Sequence, residues 1–208
     1  DETGWKPTYP LPTLSPKDLA GYLQKQSFPD LFDYYLGELG PIIGGGRPTS
    51  LDDYKKVFQK VEATYTVEKF MEDEYFAHSF VAGPDASAFG QLKAIPANFP
   101  ISNEIFRKTK EFASDDLTRA MAAGRVFMSD YKELNDVVSG MHPLQKKYIY
   151  QPIIAFAVPE NASNMVPFAI QCGQIPASFP IFTPVDDWAW QMAKGTAWAA
   201  HYTYHELI

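Results

Sequence analysis

The residues best suited to chemistry lie close together near the end of the chain. His201 is followed four residues later by His205 and then by Glu206. A helix would place the two histidines one turn apart on the same face. Imidazole and carboxylate groups bind metal ions, and they also form hydrogen-bond networks that carry protons. The pattern therefore predicts either a metal site or a polar network buried in the core.

Two metal-binding hypotheses depend on the residues that would follow Ile208. A histidine directly after it would complete His-Glu-x-x-His, the helix of zinc-dependent proteases. Histidines repeated every five residues along the same helix would instead serve a redox-active iron. The pair His205-Glu206 is compatible with both, so the residues alone leave the two hypotheses open.

One long helix is predicted to carry these groups. Residues 183–186, Thr-Pro-Val-Asp, form a typical helix start, and no later proline interrupts the chain. Trp188, Trp190 and Trp198 accompany few charged residues, which is unusual for a helix that faces solvent. We therefore predict a buried helix that takes the two histidines and the glutamate inside the protein, where each polar group needs a partner.

Shorter elements precede this helix. Capping patterns start helices at residues 50–53 and 114–116. A further helix over residues 67–81 would bring Phe76 and Phe80 one turn apart. Apolar and alternating runs predict strands at residues 126–131, 148–158 and 165–172. The predicted fold class is mainly α with a few short antiparallel β-strands between residues 89 and 172.

Composition excludes several classes of protein. The 208 residues fit one ordinary domain, and 18 basic against 25 acidic residues give a net charge of −7, which disfavours nucleic-acid binding. The single cysteine, Cys172, excludes a disulfide within the chain and is interpreted as a buried, unreactive thiol. No run of 18 apolar residues is present, so no segment is predicted to span a membrane.

Asp187-Trp188 and Ala193-Lys194 are followed on the predicted helix by Tyr204-His205-Glu206-Leu207. This order of motifs is similar to the central helix of the lipoxygenases, and the sequence resembles that family between residues 48 and 208. That helix leads into an iron signature of the form His-[Glu/Gln]-x-x-x-His-x-x-x-x-His. Further similarities occur upstream in the family's order. They cover residues 76–83, 95–100, 124–131, 148–153, 167–171 and 181–184.

The resemblance implies roles for five residues. His205 matches the first histidine of the signature, which lies beside the metal without binding it, and Glu206 matches the neighbouring group that helps to orient the site. Tyr202 matches an aromatic position that lines the fatty-acid cavity, and Phe76 and Phe80 are assigned to its entrance. No metal ligand and no catalytic residue is expected in this chain, because the ligand positions fall just beyond its last residue.

The resemblance also implies an activity, a cofactor and partners. The complete protein would be a non-heme iron dioxygenase, with manganese as the alternative metal, that inserts O2 into polyunsaturated fatty acids to give hydroperoxides. The metal would be bound by the missing C-terminal half of the same protein. The implied partners are the fatty acid, O2 and the C-terminal half of the protein. Peripheral contact with a membrane surface is a further hypothesis, and no nucleic-acid partner is expected. A truncated zinc hydrolase and a non-catalytic helical interaction module remain as alternatives.

Two details of the resemblance set expectations for the structure. His201 stands where the family usually has aspartate. A basic group at the cavity entrance would meet the fatty-acid carboxylate, and Lys93, Arg107 and Arg125 are the candidates.

The domain organisation follows from the same resemblance. Residues 1–47 are predicted to form a proline-rich arm, short helices and a glycine-rich loop, and residues 48–208 the N-terminal half of a lipoxygenase-like catalytic domain. No β-sandwich lipid-binding domain is expected in this chain. We expect these 208 residues alone to be inactive, and to be either bound to a second chain or unstable.

Overall fold

The computed structural model describes residues 50–55, 64–84, 86–142 and 145–207. The chain separates into two compact units, residues 1–68 and 69–208. The predicted arm, short helices and glycine-rich loop of residues 1–47 lie outside the described residues, and the predicted domain boundary at residues 47/48 stays a prediction. The central sheet and the 21-residue helix over residues 187–207 both belong to the second unit.

The predicted helix start at residues 50–53 is confirmed. Helix α1 (Asp52–Lys55) begins where the backbone N–H of Ser50 donates to the Asp53 carboxylate at 3.0 Å. The sequence predicts that Val57, Phe58 and Val61 form the buried face of this helix, and these three residues lie outside the described residues.

The prediction of one helix over residues 67–81 is wrong, because the chain forms two helices there. Helix α2 (Tyr65–Lys69) ends before α3 (Asp73–Ala82) begins, and Glu72 between them is extended with φ −76° and ψ 131°. The break places the carbonyl of Met71 and the carboxylate of Asp73 against the ammonium group of Lys194. A distant partner thus overrides a local helical pattern.

A five-stranded antiparallel sheet forms the centre of the second unit. Its strands lie in the order β1 (Phe89–Gln91), β2 (Val126–Asp130), β5 (Ile153–Ala157), β6 (Val166–Gln171) and β7 (Ile181–Phe182). The short strands β3 (Met141–His142) and β4 (Gln145–Lys146) pair separately. The three predicted strands are confirmed, and β7 extends the sheet beyond the expected range.

Every residue of β5 is buried, because both faces of the sheet are covered. Ile153, Ala155 and Ala157 face a cluster that includes Phe106 of helix α4 (Asn103–Arg107). Ile154 and Phe156 face the opposite cluster, which contains Phe76 and Phe80 of α3 and Trp190 of the long terminal helix. The alternation of strand side chains therefore assigns a separate helical layer to each face.

The predicted helix at residues 114–116 is confirmed as α5 (Leu117–Ala122), with Asp116 as its N-cap accepting from the N–H of Arg119. Just before it, Asp115 Oδ1 accepts hydrogen bonds from Arg119 at 2.9 Å and from Arg125 at 3.2 Å, and Arg125 also forms an ion pair with the carboxylate at 2.9 Å. The hydrogen bond from Arg125 is the main cause that holds the pKa of the Asp115 carboxyl well below its usual range, and burial opposes it. This ion cluster ties α5 to the start of β2.

Within the residues that the structure describes, none of the helices combines the length and the apolar character needed to cross a membrane. The mainly helical fold class with short antiparallel strands is confirmed.

Candidate functional site

The capping pattern predicted at residues 183–186 opens a 3-10 turn (Pro184–Asp186), and the long terminal helix α6 (Asp187–Leu207) follows that turn. The backbone N–H of Thr183 donates to the Asp186 carboxylate at 2.7 Å, and the Thr183 side chain caps the following 3-10 turn. Asp187 then turns the chain into α6 with a φ of 49°, a left-handed value that non-glycine residues seldom adopt. The helix is 21 residues long and continues to the last described residue.

One face of α6 is fixed to α3 by polar contacts, beginning with Lys194. Its side chain is 1% exposed, and its Nζ donates to the Asp73 carboxylate and to the Met71 carbonyl, at 2.7 Å each. The indole N–H of Trp190 donates to the same Asp73 oxygen at 2.9 Å. Burial lowers the pKa of the Lys194 amine, and the bond with Asp73 opposes that change. The pair is therefore a structural contact at the start of α3.

The second contact lies one turn further along α6. The indole N–H of Trp198 donates to the Ser79 hydroxyl at 2.6 Å, and that hydroxyl donates to the Phe76 carbonyl at 2.7 Å. The rings of Trp198 and Phe76 pack with centroids 5.4 Å apart. Serine in the middle of α3 thus serves as a hydrogen-bond bridge between the two helices.

The third contact involves His201, whose predicted burial is confirmed at 1% exposure. Its Nδ1 lies 2.8 Å from the hydroxyl of Tyr131, which is also 1% exposed. Its ring packs against Phe80 with centroids 4.7 Å apart. We call the side chains of Trp190, Lys194, Trp198 and His201 the anchored face of α6.

The prediction that His205 and Glu206 are buried is wrong. Both side chains are exposed, as is Leu207. Tyr204, one residue earlier, still packs on Tyr131 with ring centroids 5.5 Å apart. The turn of α6 that carries His205 and Glu206 extends beyond Tyr131, so the described part of the chain does not cover these two side chains. The role implied for these two residues beside a metal stays a prediction.

The opposite side of α6 is exposed and mostly apolar. Its members recur at helical spacing, and we call them the exposed stripe: Trp188, Met192, Gly195, Ala199 and Tyr202. Trp188 is 64%, Met192 73% and Tyr202 52% exposed. An apolar groove of about 420 Å³ runs beside Met192, Gly195 and Ala199 of the stripe, and its lining residues do not include Trp188 or Tyr202. Tyr148 and Tyr150 form its far wall, and Ala199 and Thr203 belong to its α6 wall.

Phe76 and Phe80 lie in the core between α3 and the sheet. They are 0% and 1% exposed, their rings are 4.8 Å apart, and both pack on Phe156 of β5. The residues that line the groove beside the exposed stripe do not include either ring. Their one-turn spacing was predicted, and their assignment to a cavity entrance stays a prediction.

Two of the three basic groups considered for a carboxylate are already engaged. Arg125 pairs with Asp115 at 2.9 Å, and Arg107 donates from Nε to the Asp115 carbonyl at 2.7 Å. Lys93 is exposed.

Cys172 is half-buried, and this burial raises the pKa of its thiol, which disfavours the reactive thiolate.

The described residues do not fit a metal centre by themselves. Nowhere in the described ranges do three or more His, Cys, Asp or Glu side chains gather closely enough to hold an ion. The exposed His205 and Glu206 are therefore not joined there by a third ligand. No chemical step is assigned to a metal within this part of the chain.

Sequence reasoning missed the partners of the anchored face. Lys194 and His201 stood out on α6, but Asp73, Ser79 and Tyr131 lie 70 to 121 residues away in the chain. An acidic residue at a helix start and a tyrosine at a strand end are common features. The only sequence signal was that a lysine inside an apolar helix needs a buried acceptor.

Comparisons with known proteins place the chain among lipoxygenases. The linoleate 9/13-lipoxygenase of Pseudomonas aeruginosa is 36% identical over 174 residues, which are 79% of this chain and 25% of that protein. The human hydroperoxide isomerase ALOXE3 is 26% identical over 188 residues, covering 85% of this chain and 26% of that protein. The chain thus spans about a quarter of the length of these curated relatives. No family model matches the chain.

Solved structures share the fold. A calcium-dependent 11R-lipoxygenase aligns with a TM-score of 0.70 and 30% identity, over 77% of this chain and 24% of that chain. A lipoxygenase solved in complex with arachidonate aligns with a TM-score of 0.74 and 23% identity, over 92% of this chain and 29% of that chain. The predicted resemblance is therefore confirmed: the chain is a lipoxygenase-like segment, related to that family over roughly three quarters of its length.

Proposed function

We propose that this chain is part of a fatty-acid dioxygenase of the lipoxygenase type, which inserts O2 into polyunsaturated fatty acids to give hydroperoxides. The observation that carries the proposal is the 36% identity to a bacterial linoleate lipoxygenase across 79% of the chain. An alignment of 174 residues extends far beyond any one short motif. It favours this function over a zinc hydrolase and over a non-catalytic helical module.

Within such an enzyme, the exposed stripe of α6 would form one wall of the fatty-acid cavity. Gly195 and Ala199 leave room beside the helix, and Met192 would present apolar surface to a chain of methylene groups. A cavity for a fatty acid needs apolar walls and few polar groups, because each unpaired polar group would cost binding energy. Tyr202, which is 52% exposed on the same stripe, would contact the substrate.

The metal would be held by residues other than those described. Iron, or manganese in its place, would supply the redox chemistry that removes a hydrogen atom from the fatty acid. We propose that its ligands follow Ile208 along the same helix. The exposure of His205 and Glu206 leaves both side chains available to hydrogen-bond groups of that site. This segment would contribute the wall, the orientation of α6 and the exclusion of water.

A second candidate function is suggested by the relative named hydroperoxide isomerase, which aligns over 85% of this chain. An isomerase of this kind would start from the hydroperoxide that a dioxygenase makes. The two candidates share a fatty-acid cavity and differ in whether O2 is consumed.

The test uses the full-length protein that contains this chain. Oxygen uptake together with conjugated-diene absorbance on linoleate would support the dioxygenase, and metal analysis should then find iron or manganese. Consumption of linoleate hydroperoxide without oxygen uptake would establish the isomerase instead. Zinc together with peptide cleavage would overturn both. Phe112→Ala, which disturbs the core cluster on the other face of the sheet, serves as a control for loss of activity through unfolding.

A further inference from the structure

We propose that Tyr131 and His201 form a positioning pair, which fixes the rotation of α6 about its axis and thereby sets the direction in which Tyr202 faces the fatty acid. The inference rests on the proposed function, because Tyr202 matters only where a substrate lies against the exposed stripe. Neither member of the pair touches that substrate. Both act through the helix that carries Tyr202.

The pair is buried and closely spaced. The Tyr131 hydroxyl lies 2.8 Å from His201 Nδ1, and each residue is 1% exposed. A hydrogen bond in such a water-excluded place does not compete with solvent, so it restricts geometry more strongly than the same bond on the surface. Phe80 packs on the His201 ring at 4.7 Å and limits its freedom to turn.

The position of Tyr131 does not depend on α6, because the backbone of Tyr131 is hydrogen-bonded next to the sheet. It directly follows β2, its N–H donates to the Pro152 carbonyl at 3.1 Å, and its own carbonyl accepts from Leu134 at 3.1 Å. Its ring also contacts Phe80 and Tyr204. The hydroxyl is therefore presented to α6 from a rigid part of the fold.

The direction of the Tyr202 side chain depends on the position of His201, because Tyr202 is the next residue on the helix. The rings of His201 and Tyr202 lie 5.7 Å apart in an edge-on arrangement. Adjacent helical residues point about 100° apart, so burial of one fixes the outward direction of the other. If α6 turned by about 20°, the Tyr202 side chain would move by about 2 Å, since helical side chains reach about 5–6 Å from the axis.

The contact between Trp198 and Ser79 provides the matched control. It also joins α6 to a neighbouring element through one hydrogen bond, of 2.6 Å, but it lies a turn before Tyr202. Ser79→Ala should loosen the packing of α3 on α6 while the contact at His201 is kept. Tyr131→Phe removes only the hydroxyl and keeps the ring contacts with Phe80 and Tyr204.

The experiment measures which carbon of the fatty acid is oxygenated. Full-length wild type, Tyr131→Phe and Ser79→Ala are supplied with linoleate, and the ratio of positional hydroperoxide isomers is determined beside the total rate. We expect Tyr131→Phe to change the isomer ratio by about fivefold, the factor that corresponds to about 1 kcal/mol for one hydrogen bond. Ser79→Ala should keep the wild-type ratio even where its rate or stability falls.

Two results would overturn the inference. An unchanged isomer ratio in Tyr131→Phe would do so, and so would an equal change in Ser79→Ala, since that would indicate general loosening of the helix. If Tyr131→Phe does not fold, His201→Phe removes the same bond from the other side and is judged by the same ratio. Failure of the proposed function is distinguishable, because wild type itself would then form no hydroperoxide.

Discussion

The two sides of α6 are built from similar residues and have opposite surroundings. The anchored face places Trp190, Lys194 and His201 at 1–2% exposure. The exposed stripe holds Trp188, Met192 and Tyr202 at 52–73% exposure. Both sides contain tryptophan and small residues, so hydrophobicity does not separate them.

Polar atoms distinguish the two sides. All four side chains of the anchored face carry a donor or acceptor that meets a partner on another element: Trp190 and Lys194 with Asp73, Trp198 with Ser79 and His201 with Tyr131. The side chains of the exposed stripe are mainly apolar and are suited to bind a ligand or further protein. Buried hydrogen bonds thus fix the orientation of a helix that apolar packing alone would leave free to rotate.

The largest contrast is expected from truncating one large side chain on each side. Phe80→Ala would leave a cavity beneath the anchored face and lower the free energy of unfolding by about 3–5 kcal/mol. Met192→Ala on the exposed stripe should change it by less than about 0.5 kcal/mol. Urea unfolding of both variants measures the difference. Equal losses would mean that the stripe is covered in the folded protein.

Breaking the ion pair at the start of α3 should have the next largest effect. Asp73→Ala leaves the buried ammonium of Lys194 without its carboxylate and should cost about 3 kcal/mol, because an unpaired buried charge is strongly unfavourable. The double variant Asp73→Ala with Lys194→Met should recover part of that loss, and denaturant unfolding of the three proteins measures it. A double variant no more stable than Asp73→Ala alone would contradict the explanation.

The contact between Trp198 and Ser79 should contribute less. Trp198→Phe removes the indole donor, Ser79→Ala removes the acceptor, and a double-mutant cycle isolates their interaction. We expect a coupling of about 1 kcal/mol in the free energy of unfolding, typical of one hydrogen bond. Additive single changes would show that the 2.6 Å contact does not stabilise α6.

The smallest effect on stability, with a clear effect on activity, is expected at the groove. Ala199→Leu fills part of the 420 Å³ groove beside the exposed stripe and should change stability by no more than about 0.5 kcal/mol. If the stripe forms the cavity wall, fatty-acid oxygenation by the full-length protein should fall. Ala122→Leu, on the exposed side of α5, is the matched control and should leave the rate unchanged. Equal oxygenation rates in the two variants would show that the groove does not bind the substrate.

Local features were predictable where neighbouring residues decide them. The capped 3-10 turn at Thr183–Asp186 that precedes α6, the N-cap Asp116 and the strand at residues 153–157 follow from capping and apolar patterns within a few positions. The burial of His201 was also predicted. The resemblance to lipoxygenases depended on several short motifs in one order, and the comparisons confirm it.

The errors arose where a distant residue decides the outcome. The helix predicted over residues 67–81 is broken because Asp73 binds Lys194, which is 121 residues further along the chain. His205 and Glu206 share the apolar surroundings of His201 in the sequence, but they lie beyond the level of Tyr131. Periodicity assigns faces to a helix without indicating where along its length a neighbouring element ends.

The sequence by itself determined that α6 forms and that its start lies close to the capping pattern at residues 183–186, because capping and helix propensity act within a few residues. Only the tertiary structure decided that the buried face of α6 ends at the level of Tyr131, so that His201 contacts Tyr131 while Tyr202 and His205 are exposed. That choice depends on a hydrogen bond between residues 70 positions apart, and such a bond forms only after β2 and α6 have packed together.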